Sequence, residues 1–180
     1  MSQGKQVANS QARSYVEPIT EFLKAHPGVQ HVALAGSIRR GKPRVKDADI
    51  TFTLTGNATI YRIWDESQRV LGLEFTRGGD FEKTTKVGVL QVELRAFAPK
   101  EYGAALLFTT GSGKFNVAMR TLAKVRGLLL NRYGLWTRDK SKLVASTSEQ
   151  AIFDALGLPF VPVEERGDPS MVWRVVRRFS

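Results

Sequence analysis

The chain contains no cysteine among its 180 residues and only two histidines. The first absence excludes a disulfide framework, a thiolate zinc site and a cysteine nucleophile, and it fits a reducing compartment. His26 and His31 are too few, and too poorly spaced with acids, to build a zinc site. No apolar run approaches the roughly 18 residues that a bilayer span requires; the longest, such as "GAALLF", are core-sized. The opening "MSQGKQVANSQARSYVEP" lacks the apolar h-region of a secretory signal. The expected setting is therefore intracellular, cytoplasmic or viral, with no membrane and no secretion. No internal repeat and no low-complexity linker interrupts the chain.

Acidic residues are also scarce: 17 Asp and Glu against 27 Lys and Arg leave a formal charge of +10 and a pI near 10.1. Such a balance points to a polyanionic partner, and nucleic acid is the natural one because the basic residues recur along the whole chain. The length suits one compact domain or two small lobes.

Periodicity organises the rest. Residues 10–25 carry Ala12, Tyr15, Val16, Ile19, Phe22 and Leu23 at helical spacing, with Pro18 as a start or kink and "HPG" at 26–28 as a stop. "VQHVALAG" reads as a strand ending at Gly36. "DADITFTLT" alternates, with Asp47, Asp49, Thr51 and Thr53 on one face and Ala48, Ile50, Phe52 and Leu54 on the other. "TIYRIWDESQRVLGL" is an amphipathic helix. The segment from Glu74 to Pro99 reads as two strands joined by the Gly78-Gly79 turn, the second placing Val87, Val89, Gln91, Glu93, Arg95 and Phe97 on one face. From about residue 100 the pattern is helical through "KEYGAALLFTT" and "KFNVAMRTLAKVRGLLLNRYG", with Gly134 as C-cap and Leu128–Leu130 in the core. A hairpin, "GLWTRDKSKLVA", and a helix capped by Thr147 or Ser148 and closed by Gly157 follow, then a basic amphipathic tail. Trp64, Trp136 and Trp173 read as packing residues. The expected class is α+β: a mixed or antiparallel sheet with flanking helices, then a mostly helical C-terminal lobe with a small hairpin.

Two aspartates at i and i+2 of a strand point the same way, with Cα atoms about 7 Å apart. Together they can hold one or two hard cations, and magnesium is usually bound by one or two carboxylates and substrate phosphates. Glu93, late in an otherwise apolar strand, is the candidate third carboxylate. Two ions about 3.5–4 Å apart could activate an attacking hydroxyl and stabilise a leaving pyrophosphate. The stretch "GSIRRGKPRVKDADI" adds the other half: the amides of the turn at Gly36, with Ser37, can meet phosphate oxygens, and Arg40 can neutralise the outer phosphates. Cations and carboxylates lie together because a metal-bound triphosphate needs both.

That stretch resembles the Gly-Ser, basic turn and D-x-D motif of the nucleotidyltransferase superfamily. "FTTGSGKFNVAMRTLAKVRGLLLNRYGLW" and "STSEQAIFDALGLPFVPVEERG" are similar to the segments that follow the third acid in family X DNA polymerases, the DNA polymerase beta group. The likeness runs from about residue 30 to 167, with three motifs in order. It implies an N-terminal helical extension at 1–29, a nucleotidyltransferase palm at 30–105 and a nucleotide- and template-binding lobe at 106–180. It further implies Asp47, Asp49 and Glu93 as catalytic residues and ligands of two Mg²⁺ or Mn²⁺ ions, with Glu93 accepting the primer hydroxyl proton. Gly36, Ser37 and Arg40 would contact the triphosphate, Phe108, Thr109 and Gly111 would lie beside the sugar, and Asn116 would face the base. Arg120 would reach the template, Lys124 a phosphate, and Arg95 would pair with the acids of an idle site. Further phosphate contacts are expected from Lys42, Arg44, Lys46, Lys114, Arg126, Arg132, Arg174, Arg177 and Arg178.

Four departures bear on this. The third acid of the family is usually aspartate, and Glu93 is longer by one C–C bond of about 1.5 Å. The usual tyrosine-phenylalanine pair is here Phe108-Thr109, and an acid near the base is Gly113. About 30 residues precede the palm, too few for the lyase domain and its helix-hairpin-helix motifs. The resemblance implies a monomeric, template-directed, gap-filling DNA polymerase acting on primer-template or gapped DNA with deoxynucleotides, without lyase activity. The alternatives are a template-independent or ribonucleotide-tolerant transferase, and a nucleic-acid-binding relative with a decayed site.

Overall fold

A computed structural model describes residues 5–55 and 59–179. The outermost residues of the expected extension and tail, 1–4 and 180, lie outside the described residues. The chain divides into two compact units that meet between Pro99 and Lys100.

The first unit runs β1 (Val7–Ala8), α1 (Asn9–Ala25), β2 (Val29–Leu34), α2 (Gly36–Arg39), β3 (Arg44–Val45), β4 (Asp47–Leu54), α3 (Ile60–Leu71), β5 (Glu82–Val87) and β6 (Leu90–Phe97). Its main sheet has the order β2-β4-β6-β5, antiparallel at both edges and parallel between β4 and β6, so the mixed form of the expected sheet is the one found. Helix α1 buries Ala12, Val16, Ile19 and Leu23 at spacings of three and four residues. It runs through Pro18, whose ring lies on the exposed side. The stripe joins Ile50 and Phe52 of β4 and Val92 and Leu94 of β6 in one core. From α3, Ile63 and Trp64 enter the same core, with Trp64 edge-on to Phe52 at 5.6 Å between ring centroids. Its indole N–H is satisfied by the carbonyl of Asp80 at 2.7 Å.

The second unit holds α4 (Tyr102–Thr110), α5 (Gly113–Val125), the antiparallel sheet β7 (Leu128–Asn131), β8 (Gly134–Thr137) and β9 (Leu143–Ala145), then α6 (Glu149–Ala155) and α7 (Ser170–Val176). Its core gathers Leu107, Phe115, Met119, Leu122, Ile152 and Phe153. Ser148 caps α6, accepting from the amide of Ala151 at 3.1 Å.

Two expectations from periodicity are corrected. The turn between the long strands is not Gly78-Gly79 but Gly88-Val89: Val87 pairs with Leu90, Gly88 has φ +59°, and Val89 is 52% exposed. A run of alternating residues can hide a tight turn, because glycine supplies the positive φ without breaking the apparent period. The helix expected to continue to Gly134 ends at Val125. Gly127 turns the chain at φ +73°, and Leu128–Asn131 then extends as β7. Three consecutive leucines suit either structure, and the glycine before them decides.

Candidate active site

The alternation of β4 sends Ala48, Ile50 and Phe52 into the core and turns Asp47 and Asp49 to the other face. In the parallel ladder Asp47 stands opposite Gln91, Asp49 opposite Glu93, and Thr51 opposite Arg95. The register therefore brings all three expected acids to neighbouring positions on two adjacent strands. Asp47 is exposed, while the Asp49 and Glu93 side chains keep 21% and 24% of their surface.

Arg95 sits among them. Its Nη1 donates to Asp49 Oδ1 at 2.7 Å, its Nη2 donates to Glu93 Oε2, and its Nε lies 3.8 Å from Glu82 Oε2. Burial alone would lower this guanidinium, but the hydrogen bond to Asp49 and the charges of Asp49, Glu93 and Glu82 outweigh it and raise the group above its ordinary value. Burial likewise pushes the Asp49 carboxyl up. Arg95 opposes that shift, and the charges of Asp47 and Glu93 add to it. Among the described residues no three acids or histidines are gathered closely enough to enclose a metal ion. Two of the three carboxylates instead share one guanidinium. The donor set is nevertheless all carboxylate oxygen, which suits a hard divalent cation, and Arg95 brings positive charge to that place.

The second oxygen of Glu93 is also held: Gln91 Nε2 donates to Oε1 at 3.0 Å, and Arg77 Nη2 lies 3.6 Å from it. The sequence assigns neither residue a role at the site. Alternation already places Gln91 on the Glu93 face, whereas Arg77 reaches Glu93 only through the fold.

At the end of β2 the chain turns into α2 through Gly36 at φ +58°. A Cβ there would lie 2.0 Å from Asp49 Oδ2, so only glycine lets the turn approach the carboxylate. The amide of Ala35 donates to the Asp49 carbonyl at 2.8 Å, fixing that approach. Ser37 Oγ is buried and has no hydrogen-bond partner among the described residues, an arrangement that an added acceptor would relieve. Burial lowers the Arg40 guanidinium, and the charges of Asp49 and then Asp47 restore part of the loss. Arg40 thus lies within electrostatic reach of both aspartates. The basic turn is tied down from α1: Asn9 Nδ2 donates to the carbonyls of Ile38 (3.2 Å) and Lys42 (2.9 Å), the Asn9 amide to Pro43 (3.0 Å), and Arg13 Nη2 to Ile38 (3.3 Å). No motif in the sequence marks Asn9 for this.

In the second unit Phe108, Asn116 and Arg120 line one small cavity of about 20 Å³. Asn116 Nδ2 donates to the Phe108 carbonyl at 2.7 Å. Thr109 is buried, its hydroxyl turned back to the Ala105 carbonyl at 2.7 Å. Gly111 takes φ +68° and leads to Ser112, the N-cap of α5. The Ser112 hydroxyl and amide both donate to the Arg166 carbonyl, at 2.9 and 3.3 Å. Arg166 is itself fully buried. Its Nη1 meets Glu149 Oε1 at 2.5 Å, its Nε meets the Val161 carbonyl at 3.0 Å, and its guanidinium lies 5.2–5.7 Å from the ring centres of Phe115, Phe153 and Phe160. Arg120 and Lys124 are exposed one turn apart on α5.

Comparison with known proteins gives a consistent picture. Residues 105–167 match the DNA polymerase beta thumb. The chain is 28% identical over 155 residues to a DNA polymerase/3′-5′ exonuclease PolX of Bacillus subtilis, covering 82% of this chain and 26% of that protein. It is 26% identical over 174 residues to DNA polymerase lambda of Rattus norvegicus, covering 78% and 29%. The chain thus spans under a third of the length of these relatives. A Leishmania infantum polymerase beta in a ternary P/T complex superposes with a TM-score of 0.77 at 25% identity, over 92% of this chain and 77% of that one.

Proposed function

We propose, from the premise that this chain is a relative of the family X DNA polymerases, that it adds deoxynucleotides to a primer 3′-hydroxyl under the direction of a template. The activity is of the gap-filling repair type and is carried by a monomer. The observation that carries the reading is the parallel register that sets Asp49 against Glu93 with Asp47 on the same face. Asp47, Asp49 and Glu93 would hold divalent cations, magnesium or manganese, two in number. Bound there, such ions supply Lewis-acid activation of the hydroxyl and neutralise charge on the departing pyrophosphate.

The chain's own residues do the rest. Ser37 Oγ and the amides of the turn at Gly36 receive phosphate oxygens, and Arg40 adds positive charge beside them. Glu93 takes the proton of the primer hydroxyl. Arg95 keeps Asp49 and Glu93 neutralised while the site is idle and must release them for catalysis. In the first unit these roles make up a palm. Phe108, Thr109, Gly111 and Asn116 are assigned to the nucleotide, and Arg120 and Lys124 to DNA.

A primer-extension assay on gapped DNA, one nucleotide at a time, tests the proposal. Incorporation is expected with magnesium, abolished by chelation and abolished in Asp49→Ala. Undiminished extension by Asp49→Ala would sink it.

A second reading, ribonucleotide tolerance or loose template use, is favoured by two positions. Thr109 is buried with its hydroxyl committed to its own helix, and a side chain at Gly113 would meet nothing within 4 Å. Side-by-side rates for ribo- and deoxynucleotides, with and without template, separate the two readings.

A further inference from the structure

We propose that the groove beside α7 binds single-stranded nucleic acid, taking its phosphates on three arginines and a base face on an apolar floor. The groove encloses about 340 Å³. Arg126 from the end of α5, Arg174 from α7 and Arg178 just beyond it are the charged residues that line it among the described residues. No carboxylate pairs with any of the three among the described residues, although acids pair with arginines elsewhere in the chain. Arg174 and Arg178 line the same groove, where their like charges repel. Three convergent guanidiniums without an acid repel one another, and an anion that joins them relieves the repulsion.

The floor is apolar, formed by Met171, Val175 and Phe179. Phe179 is 52% exposed, and the Arg126 guanidinium lies 4.3 Å from its ring centre. Gly157, at φ +56°, makes room for that arginine: a Cβ there would stand 3.2 Å from Arg126 Nη2. Phosphate-binding charge beside an open aromatic and aliphatic surface fits a strand whose bases are unstacked, because a duplex hides its base faces. The match to the polymerase beta thumb ends at residue 167, before α7 begins at Ser170, so five of the eight lining residues of the groove lie beyond the matched segment. The inference rests on the proposed function only for choosing nucleic acid among polyanions.

The test is fluorescence anisotropy of a labelled oligothymidylate with the full chain, without divalent ions or nucleotide, across a salt series. The double variant Arg174→Gln/Arg178→Gln is expected to bind at least tenfold more weakly. Its log–log salt slope should shrink by about 1.4, two phosphate contacts at about 0.7 each. Phe179→Ala removes no charge and should weaken binding with the slope unchanged. A control, Arg138→Gln/Lys142→Gln, removes the same charge on the β8–β9 hairpin and should keep the slope. Equal affinity and slope for parent and double variant would overturn the proposal. So would an equal loss in the control, an equal loss on duplex DNA, or a loss confined to anionic phosphatidylserine vesicles. Since no catalysis is read, a chain that fails to extend primers leaves this result standing, and a chain that extends them without this groove leaves the polymerase reading intact.

Discussion

Gly36 and Asp49 approach so closely that the residue type at 36 sets the position of the carboxylate. In Gly36→Ala the new methyl would overlap Asp49 Oδ2, and the backbone would be held at φ +58°, where alanine is strained. The carboxylate must move, and a displacement near 1 Å costs on the order of 100-fold in rate. Incorporation should fall by about that factor while the circular dichroism spectrum stays that of the parent. Glu93 presents a related case, a longer acid gripped at both oxygens. When Arg95 lets go of Oε2, Gln91 still holds Oε1, and a hydrogen bond to a charged group is worth about 1.5–3 kcal/mol. Gln91→Ala is expected to lower kcat at least tenfold with little change in nucleotide KM; a raised KM at constant kcat would show that Gln91 serves binding instead. Asp139 offers a pH signature away from the site. The Thr137 hydroxyl and the amide and hydroxyl of Ser141 all donate to its carboxylate and lower its pKa from 3.8 to about 2. A depressed acid stabilises the folded state above pH 3.8, and that stabilisation is lost as pH falls through about 2. Its NMR titration midpoint should fall near 2, and Thr137→Val should raise it.

At the scale of elements, the buried Arg166–Glu149 pair joins α6, the segment after Val161 and the turn at Ser112. Removing one partner of a buried pair strands the other charge, at a cost of about 3–5 kcal/mol. Glu149→Ala should therefore lower thermal stability sharply, and Glu149→Leu/Arg166→Met should recover part of the loss; equal stability of Glu149→Ala and parent would show that the pair is not needed. No reading of the sequence singled these two residues out. Glu149 is an acid in a first helical turn, as many helices have, and no motif or period marks Arg166. What was legible was whatever period and local chemistry encode: the two faces of β4, the capped α6, the Gly-Ser turn before the aspartates. What was not legible depended on contacts distant in sequence, such as Asn9 holding the basic turn or Arg77 reaching Glu93. The parallel pairing of β4 with β6 falls between the two. Alternation showed that each strand carried acids on one face, but the register that puts Asp49 opposite Glu93 had to come from the fold.

At the scale of the whole molecule, two hydrophobic cores with no residue in common divide the chain, and the positive charge is unevenly shared between the units. Residues 100–180 carry thirteen Lys and Arg against seven Asp and Glu, and residues 1–99 carry fourteen against ten. An excess so distributed is either a solubility feature or a surface for phosphates, and salt tells the two apart. Each neutralised phosphate of a duplex contributes about 0.9 to the slope of log affinity against log salt. If five or more of the basic residues meet primer-template DNA, the slope exceeds about 4 in magnitude, and doubling the salt weakens binding more than tenfold. Anisotropy of labelled primer-template across a potassium chloride series reads this directly. A slope below about 2 would mean that fewer than three phosphates are engaged, and the +10 charge would then lose its standing as a sign of a DNA partner.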